Sequence, residues 1–152
     1  MDYILTKTKY ISGLQCPKRL WLEVNDPEKA TPPSIYQEHL FELGREVNTY
    51  SRRLYPDGVL IDSINPDEVI VKTNAAIEQG RTTIFEGGFL FDEVFVRVDI
   101  LNKDDIGLWN LIEVKQSSKL KDEHIPDIAI QKYVLEGAGY RITNSILMHI
   151  NN

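Results

Sequence analysis

The chain has 152 residues, 42% of them hydrophobic and 26% charged, with only 9 Gly and 7 Pro. That profile fits a single ordinary globular domain and excludes disordered, collagen-like and low-complexity chains. Lys+Arg 17 against Asp+Glu 23 leaves a net charge of -6, which argues against a protein that coats nucleic acid by bulk phosphate neutralisation but not against a local basic groove. The lone Cys16 permits no internal disulfide, and charges interrupt every apolar run well short of the roughly 20 residues that span a bilayer. A cytoplasmic protein without a membrane partner is the expectation.

In chain order, Ser12 with Gln15 three residues on fits a capping box, and Leu14, Leu20, Trp21 and Val24 give helical spacing for one buried face. Pro27, Pro32 and Pro33 break that helix, and Ser34 can cap a second in which Tyr36, Leu40, Phe41, Leu43, Val47, Tyr50 and Leu54 form a core-facing stripe. Asn65 as cap, Pro66 at the first helical position and Asp67-Glu68 in the first turn open a third, which should stop at Gly80. From Thr82 the period changes to two. One strand runs into Gly87-Gly88, where a bulge or a close backbone approach is expected, and on to Phe91. A second strand alternates Val94, Val96, Val98 and Ile100 with Phe95, Arg97, Asp99 and Leu101, and a third runs from Leu108 to Gln116. A helix from about Pro126 to Gly137 and a strand from Ile142 to Ile150 complete the chain.

The predicted organisation is a single α/β domain spanning 1–152, with a helical N-terminal extension over 1–60 and a core over 66–150. Helices are expected on both faces of a sheet that is partly an antiparallel meander.

The chemistry concentrates on Asp99 and on Glu113-Val114-Lys115. Alternation along the strand puts Glu113 and Lys115 on one face, and a hairpin partner can set Asp99 beside Glu113 across about 5 Å. Two carboxylates offer hard oxygen ligands to Mg²⁺ or Mn²⁺, and such an ion can ionise a water and stabilise charge developing on a phosphodiester. A nearby lysine can orient the water or hold a phosphate oxygen. The same residues also fit cross-strand salt bridges on a solvated face.

Val98-Asp99-Ile100-Leu101, Leu111-Ile112-Glu113-Val114-Lys115-Gln116 and Asp127-Ile128-Ala129-Ile130-Gln131-Lys132-Tyr133 together resemble the PD-(D/E)XK nuclease superfamily, most closely its RecB-type branch with the CRISPR-associated exonucleases. The resemblance implies a restriction-endonuclease-like core (helix, three strands, helix, strand) carrying two extra N-terminal helices. It also implies a metal-dependent deoxyribonuclease acting on single- or double-stranded DNA in repair or defence. On this resemblance Asp99, Glu113 and the Val114 carbonyl are metal ligands, Lys115 is the water-positioning base or electrostatic stabiliser, and Gln131 contacts the metal-bound water or the nucleic-acid backbone.

The chain departs from the family pattern in several places. The tyrosine of the glutamine helix is displaced to Tyr133, and Asn48 stands where many members carry a metal-binding histidine. Glu46 or Glu42 could donate a carboxylate instead, and Glu86 beside Gly87 is a further acidic candidate. His39 and His124 read as surface residues. Iron–sulfur members use four cysteines, so no cluster is expected from this chain alone; Cys16 reads as a small buried hydrophobe, and the chain could be the N-terminal part of a longer protein. Lys115, Lys119, Lys121, Lys18, Arg19, Arg45, Arg52 and Arg53 are the basic residues available to line a groove. The alternative to a nuclease is a catalytically inactive nuclease-fold module that binds nucleic acid or protein.

Overall fold

Six strands form one mixed sheet flanked by five α-helices in the computed structural model, which describes residues 4–151. The chain opens with a two-residue strand, β1 (Leu5–Thr6), and Thr6 at its end accepts a hydrogen bond from the Lys9 amide, so α1 (Lys7–Gln15) begins five residues before the capping box expected at Ser12. Ser12 instead lies buried inside α1, where its hydroxyl donates to Glu23 at 2.8 Å. Cys16 adopts an extended conformation and Pro17 starts α2 (Pro17–Asn25), because a proline at the first helical turn gives up no needed N–H whereas one inside a continuous helix would break it. The single first helix expected from sequence is therefore two, and three α-helices rather than two precede the core.

Ser34 and Gln37 form a reciprocal capping box at the start of α3 (Ile35–Ser51). Its apolar stripe does not face the core as expected. Tyr36, Phe41 and Tyr50 are exposed, and Ser51 is the only buried residue of the helix among those described. Helix α3 meets the sheet at β5 and, through Asn48, at Glu86 and Asp99, while much of its apolar surface stays uncovered. Leu14, Trp21 and Cys16 are likewise exposed rather than buried.

After a short strand β2 (Val59–Leu60), α4 (Pro66–Glu78) starts as expected: the Asn65 side chain accepts from the amides of Asp67 and Glu68, and Pro66 is the first helical residue. The left-handed Gly80, φ 79, follows its end. Strands β3 (Thr83–Phe91), β4 (Val94–Lys103) and β5 (Trp109–Lys115) form the antiparallel meander; α5 (His124–Gly137) then crosses over to β6 (Ile142–His149), which lies parallel to β5. The sheet order is β2-β3-β4-β5-β6. Strand β1 pairs in parallel with Val94 and Phe95, on the edge of β4 that β5 uses further along. The C-terminal ends of β1 and β5 therefore point at each other across a gap beside β4.

One face of the sheet, with Ile84, Val96, Val98, Leu101 and Leu111, packs against Val69 and Ala76 of α4 and Ile128, Val134 and Leu135 of α5. Each such side chain removed from water contributes on the order of 1.5–3 kcal/mol. The other face carries a smaller cluster of Phe85, Ile100 and Ile112 with Tyr55 and Met148. Strand β3 runs unbroken through Gly87-Gly88, which mark a close approach and not a bulge: a Cβ on Gly88 would lie 2.5 Å from Val69 Cγ1, and the Gly88 amide donates to buried Thr73 of α4 at 2.9 Å. This contact fixes α4 against the strand that carries Glu86. No helix among the described residues is long and apolar enough to cross a membrane.

Candidate functional site

Register brings the acidic residues into a row. The β3–β4 ladder pairs Phe85 with Ile100 and Gly87 with Val98, which places Glu86 opposite Asp99; the β4–β5 ladder ends at Ile100 and Ile112, so Glu113 is next in line on β5. Beyond that pair the strands diverge. The Val114 amide donates not to a backbone carbonyl of β4 but to Asp99 Oδ2 at 2.8 Å, so the carboxylate is wedged into the fork. The register thus produces a row Glu86–Asp99–Glu113 across three adjacent strands, but not by the unbroken alternation expected on β4: Val94, Val96 and Val98 pack in the larger cluster together with Leu101, whereas Ile100 joins the smaller one on the other face, so the side-chain phase changes around Asp99.

Helices close over this row from two sides. From α5, Gln131, wholly buried, donates to Glu113 Oε2 at 2.7 Å and to the Asp127 carbonyl at 3.1 Å. Lys115 Nζ lies 2.8 Å from Glu113 Oε1 and also pairs with Asp127. Glu113 is 3% exposed, so these partners supply most of what water would otherwise give it. From α1, Lys7 reaches the same place: its ammonium is 3.0 and 3.2 Å from the two Glu113 oxygens and 3.2 Å from Asp127 Oδ1. From α3, Asn48 Nδ2 donates to Glu86 Oε1 and Asp99 Oδ1, both at 3.1 Å. Glu86, with φ 57, is further held by Arg52 and Arg97, each at 3.0 Å, and Arg97 also clamps the carbonyls of Ile61 and Ser63.

The cations are distributed unevenly. Glu113 and Asp127 share Lys7 and Lys115, and Glu86 has two guanidinium groups, but among the described residues no ammonium or guanidinium pairs directly with Asp99. Burial pushes the Asp99 carboxyl up to about 7 and the neighbouring Glu113 adds to the rise, against the pull of Lys7 and the Val114 amide. Burial works to lower the pKa of Lys7, yet Glu113, Asp127 and Asp99 together leave it above its ordinary value; Lys115 is raised by the same balance. Asp127 is held low by the two lysines despite its burial.

Asp99, Glu113, Val114, Lys115 and Gln131 are therefore brought together, and Glu86 joins them through Asn48. Two expected residues are not at the site. Glu46 is exposed on α3, because the turn that directs Asn48 inward directs position 46 outward. Tyr133 is half exposed at the β3–β4 hairpin, its hydroxyl donating to Asp92 and its ring edge-on to Phe91. His124, expected at the surface, is buried at the start of α5, where it accepts a hydrogen bond from the Lys121 amide; burial and Lys115 lower its pKa.

Sequence reasoning missed Lys7, Asp127 and the polar contacts of Asn48. Asp127 had a signal, since it lies four residues before Gln131 and so shares its helix face. Lys7 had none, being 106 residues from Glu113. A cavity of about 310 Å³, lined by Gln15, Gln116, Ser117, Lys121 and His124 among others, opens onto Lys115 and Asp127.

The donor set can be judged against a hard divalent cation. Among the described residues no three His, Cys, Asp or Glu side chains converge as a ready cage. Mg²⁺ commonly takes only one or two carboxylates and keeps its waters. Asp99 and Glu113 supply these, and the buried Asn48 Oδ1, which has no partner, is a further hard oxygen beside Asp99. A carboxyl pushed up by burial and left without a cation fits such an ion.

No family model matches the chain, and the search of curated proteins returned no match.

Proposed function

We propose that the chain is a metal-dependent deoxyribonuclease domain of the PD-(D/E)XK type, RecB-like branch, hydrolysing DNA phosphodiesters in repair or defence. The observation that carries this reading is the joining of Asp99, Glu113, Lys115 and Gln131 in one partly buried cluster. The succession α4-β3-β4-β5-α5-β6 supports a restriction-endonuclease-like core beneath it.

In this reading Asp99, Glu113 and the Val114 carbonyl hold Mg²⁺ or Mn²⁺, which when bound supplies Lewis-acid polarisation of the phosphodiester and a more acidic water. The protein's own groups do the positioning. Gln131 fixes the Glu113 carboxylate from the α5 side, and the Val114 amide fixes Asp99 in the fork. Lys115, on the same strand face as Glu113 and open to the adjoining cavity, holds a phosphate oxygen or orients the attacking water. Lys121 and Ser117 line that cavity and supply contacts for the polynucleotide backbone.

Asn48, in the place of an imidazole ligand, favours a second reading in which the fold binds DNA without cutting it. End-labelled single- and double-stranded DNA incubated with the wild-type chain and with Lys115→Ala, in Mg²⁺, Mn²⁺ or chelator, separates the two. Metal-dependent cleavage that falls by about 10²–10³ in Lys115→Ala with DNA affinity retained is the expected result. Binding without cleavage in any metal would leave the binding module.

A further inference from the structure

Lys7 belongs to neither the sheet nor the crossover helix that carries the other charged groups around Glu113. It is the first residue of α1, directly after the two residues of β1 that pair with Val94 and Phe95. Its side chain spans the gap where the ends of β1 and β5 face each other, and its ammonium meets both oxygens of Glu113 and one of Asp127. It sets one positive centre against three carboxylate oxygens, two of them on Glu113, the carboxylate that the nuclease reading gives to the metal.

Lys115 and Lys7 are not equivalent in this respect. Lys115 lies two residues from Glu113 on the same strand, and its ammonium also reaches the other Asp127 oxygen, Oδ2. Lys7 is tethered through a two-residue strand and one helix start, and its stem is long and flexible. Any cation that uses Glu113 must share the carboxylate with Lys7 or replace it there.

We infer that Lys7 is a positioning residue that occupies Glu113 with Asp127 as its second anchor, holding the Glu113 carboxylate until a divalent cation displaces the ammonium from it. The inference rests on the nuclease reading, since it requires Glu113 to be a metal ligand. It makes the N-terminal segment a part of the metal site, setting how tightly the site takes its ion. A bulk structural salt bridge would instead strengthen the fold with no systematic effect on metal affinity.

Mn²⁺ titrated calorimetrically into the full chain tests this, with wild type, Lys7→Gln and Lys7→Arg compared at one pH and the fold of each followed by circular dichroism. Removing the competing charge in Lys7→Gln should tighten Mn²⁺ binding by on the order of tenfold, while the forked guanidinium of Lys7→Arg, which grips a carboxylate at two points, should weaken it. Wild type that binds Mn²⁺ while Lys7→Gln binds it equally or more weakly overturns the inference and leaves the nuclease reading standing. Wild type that binds no Mn²⁺ overturns the nuclease reading itself, and the inference with it. Should Lys7→Gln fail to fold, Lys7→Arg decides alone: affinity equal to or above wild type overturns the inference.

Discussion

Replacing Asp99 by Asn tests whether burial and like charge govern this carboxyl. Its pKa is raised from 3.8 to about 7, so the folded state holds a proton that the unfolded chain releases. The stabilisation from that proton is whole below the unfolded value near 4 and is lost as pH rises through about 7. At 1.36 kcal/mol per decade the full effect is about 4 kcal/mol, of which about 3 kcal/mol disappears between pH 5 and pH 8. The introduced amide oxygen can still accept from the Val114 amide, but its nitrogen takes the place of Oδ1, which accepts from Asn48 Nδ2, so the Asn48 amide must turn over to present its unpartnered Oδ1 and gives up its bond to Glu86, a cost that does not change with pH. Urea unfolding of both proteins in chelator at pH 5 and pH 8 measures the difference, since groups remote from Asp99 titrate alike in both. Asp99→Asn should gain about 3 kcal/mol relative to wild type on going from pH 5 to pH 8. A difference that stays within about 0.5 kcal/mol across that range would refute the electrostatic account of the fork.

Two further substitutions probe the supports of the site. Gln131→Leu keeps the volume but removes the 2.7 Å hydrogen bond to Glu113, so a loss of about 1–3 kcal/mol in urea unfolding is expected; an unchanged midpoint would mean that Glu113 is satisfied without it. Gly88→Ala sets a methyl group 2.5 Å from Val69 Cγ1 and should cost about 1–3 kcal/mol through overpacking, read as a lowered Tm, whereas an equal Tm would show that α4 can shift away from β3.

Much of the core was legible in the residues because its signals are local. Asn65-Pro66 opens α4 wherever the chain goes next, and period-two alternation from Thr83 onward yields the meander. The N-terminal part was less legible. Pro17 could be read as the first residue of a new helix or as an early residue of an existing one, and only the extended Cys16 shows which. Strands β1 and β2 have two residues each, too few for any period. The stripe on α3 has the correct helical spacing, but spacing cannot say whether a partner surface is there to cover it. The site divides in the same way. Glu113 and Lys115 share a face by alternation along β5 and Asp99 is brought beside them by the hairpin register, and Asn48 was marked only by its place in the family pattern, whereas Lys7 arrives through tertiary packing that leaves no trace in its own surroundings.

Because Lys7 and Glu113 are 106 residues apart, the charged cluster draws on both ends of the chain. At roughly 5–20 residues per second of synthesis, on the order of ten seconds pass between the addition of the lysine and of its first acid, and Asp127 comes later still. Through most of that interval Lys7 lacks its carboxylate partners, although β4, the strand that pairs with β1, is complete before Glu113 is added. The cluster is therefore a late product of folding, completed only when the crossover helix packs against a finished sheet. A chain interrupted before α5 can own every strand of the meander, the β1–β4 pairing and the Lys7–Glu113 pair, and still lack Asp127 and Gln131, which complete the cluster.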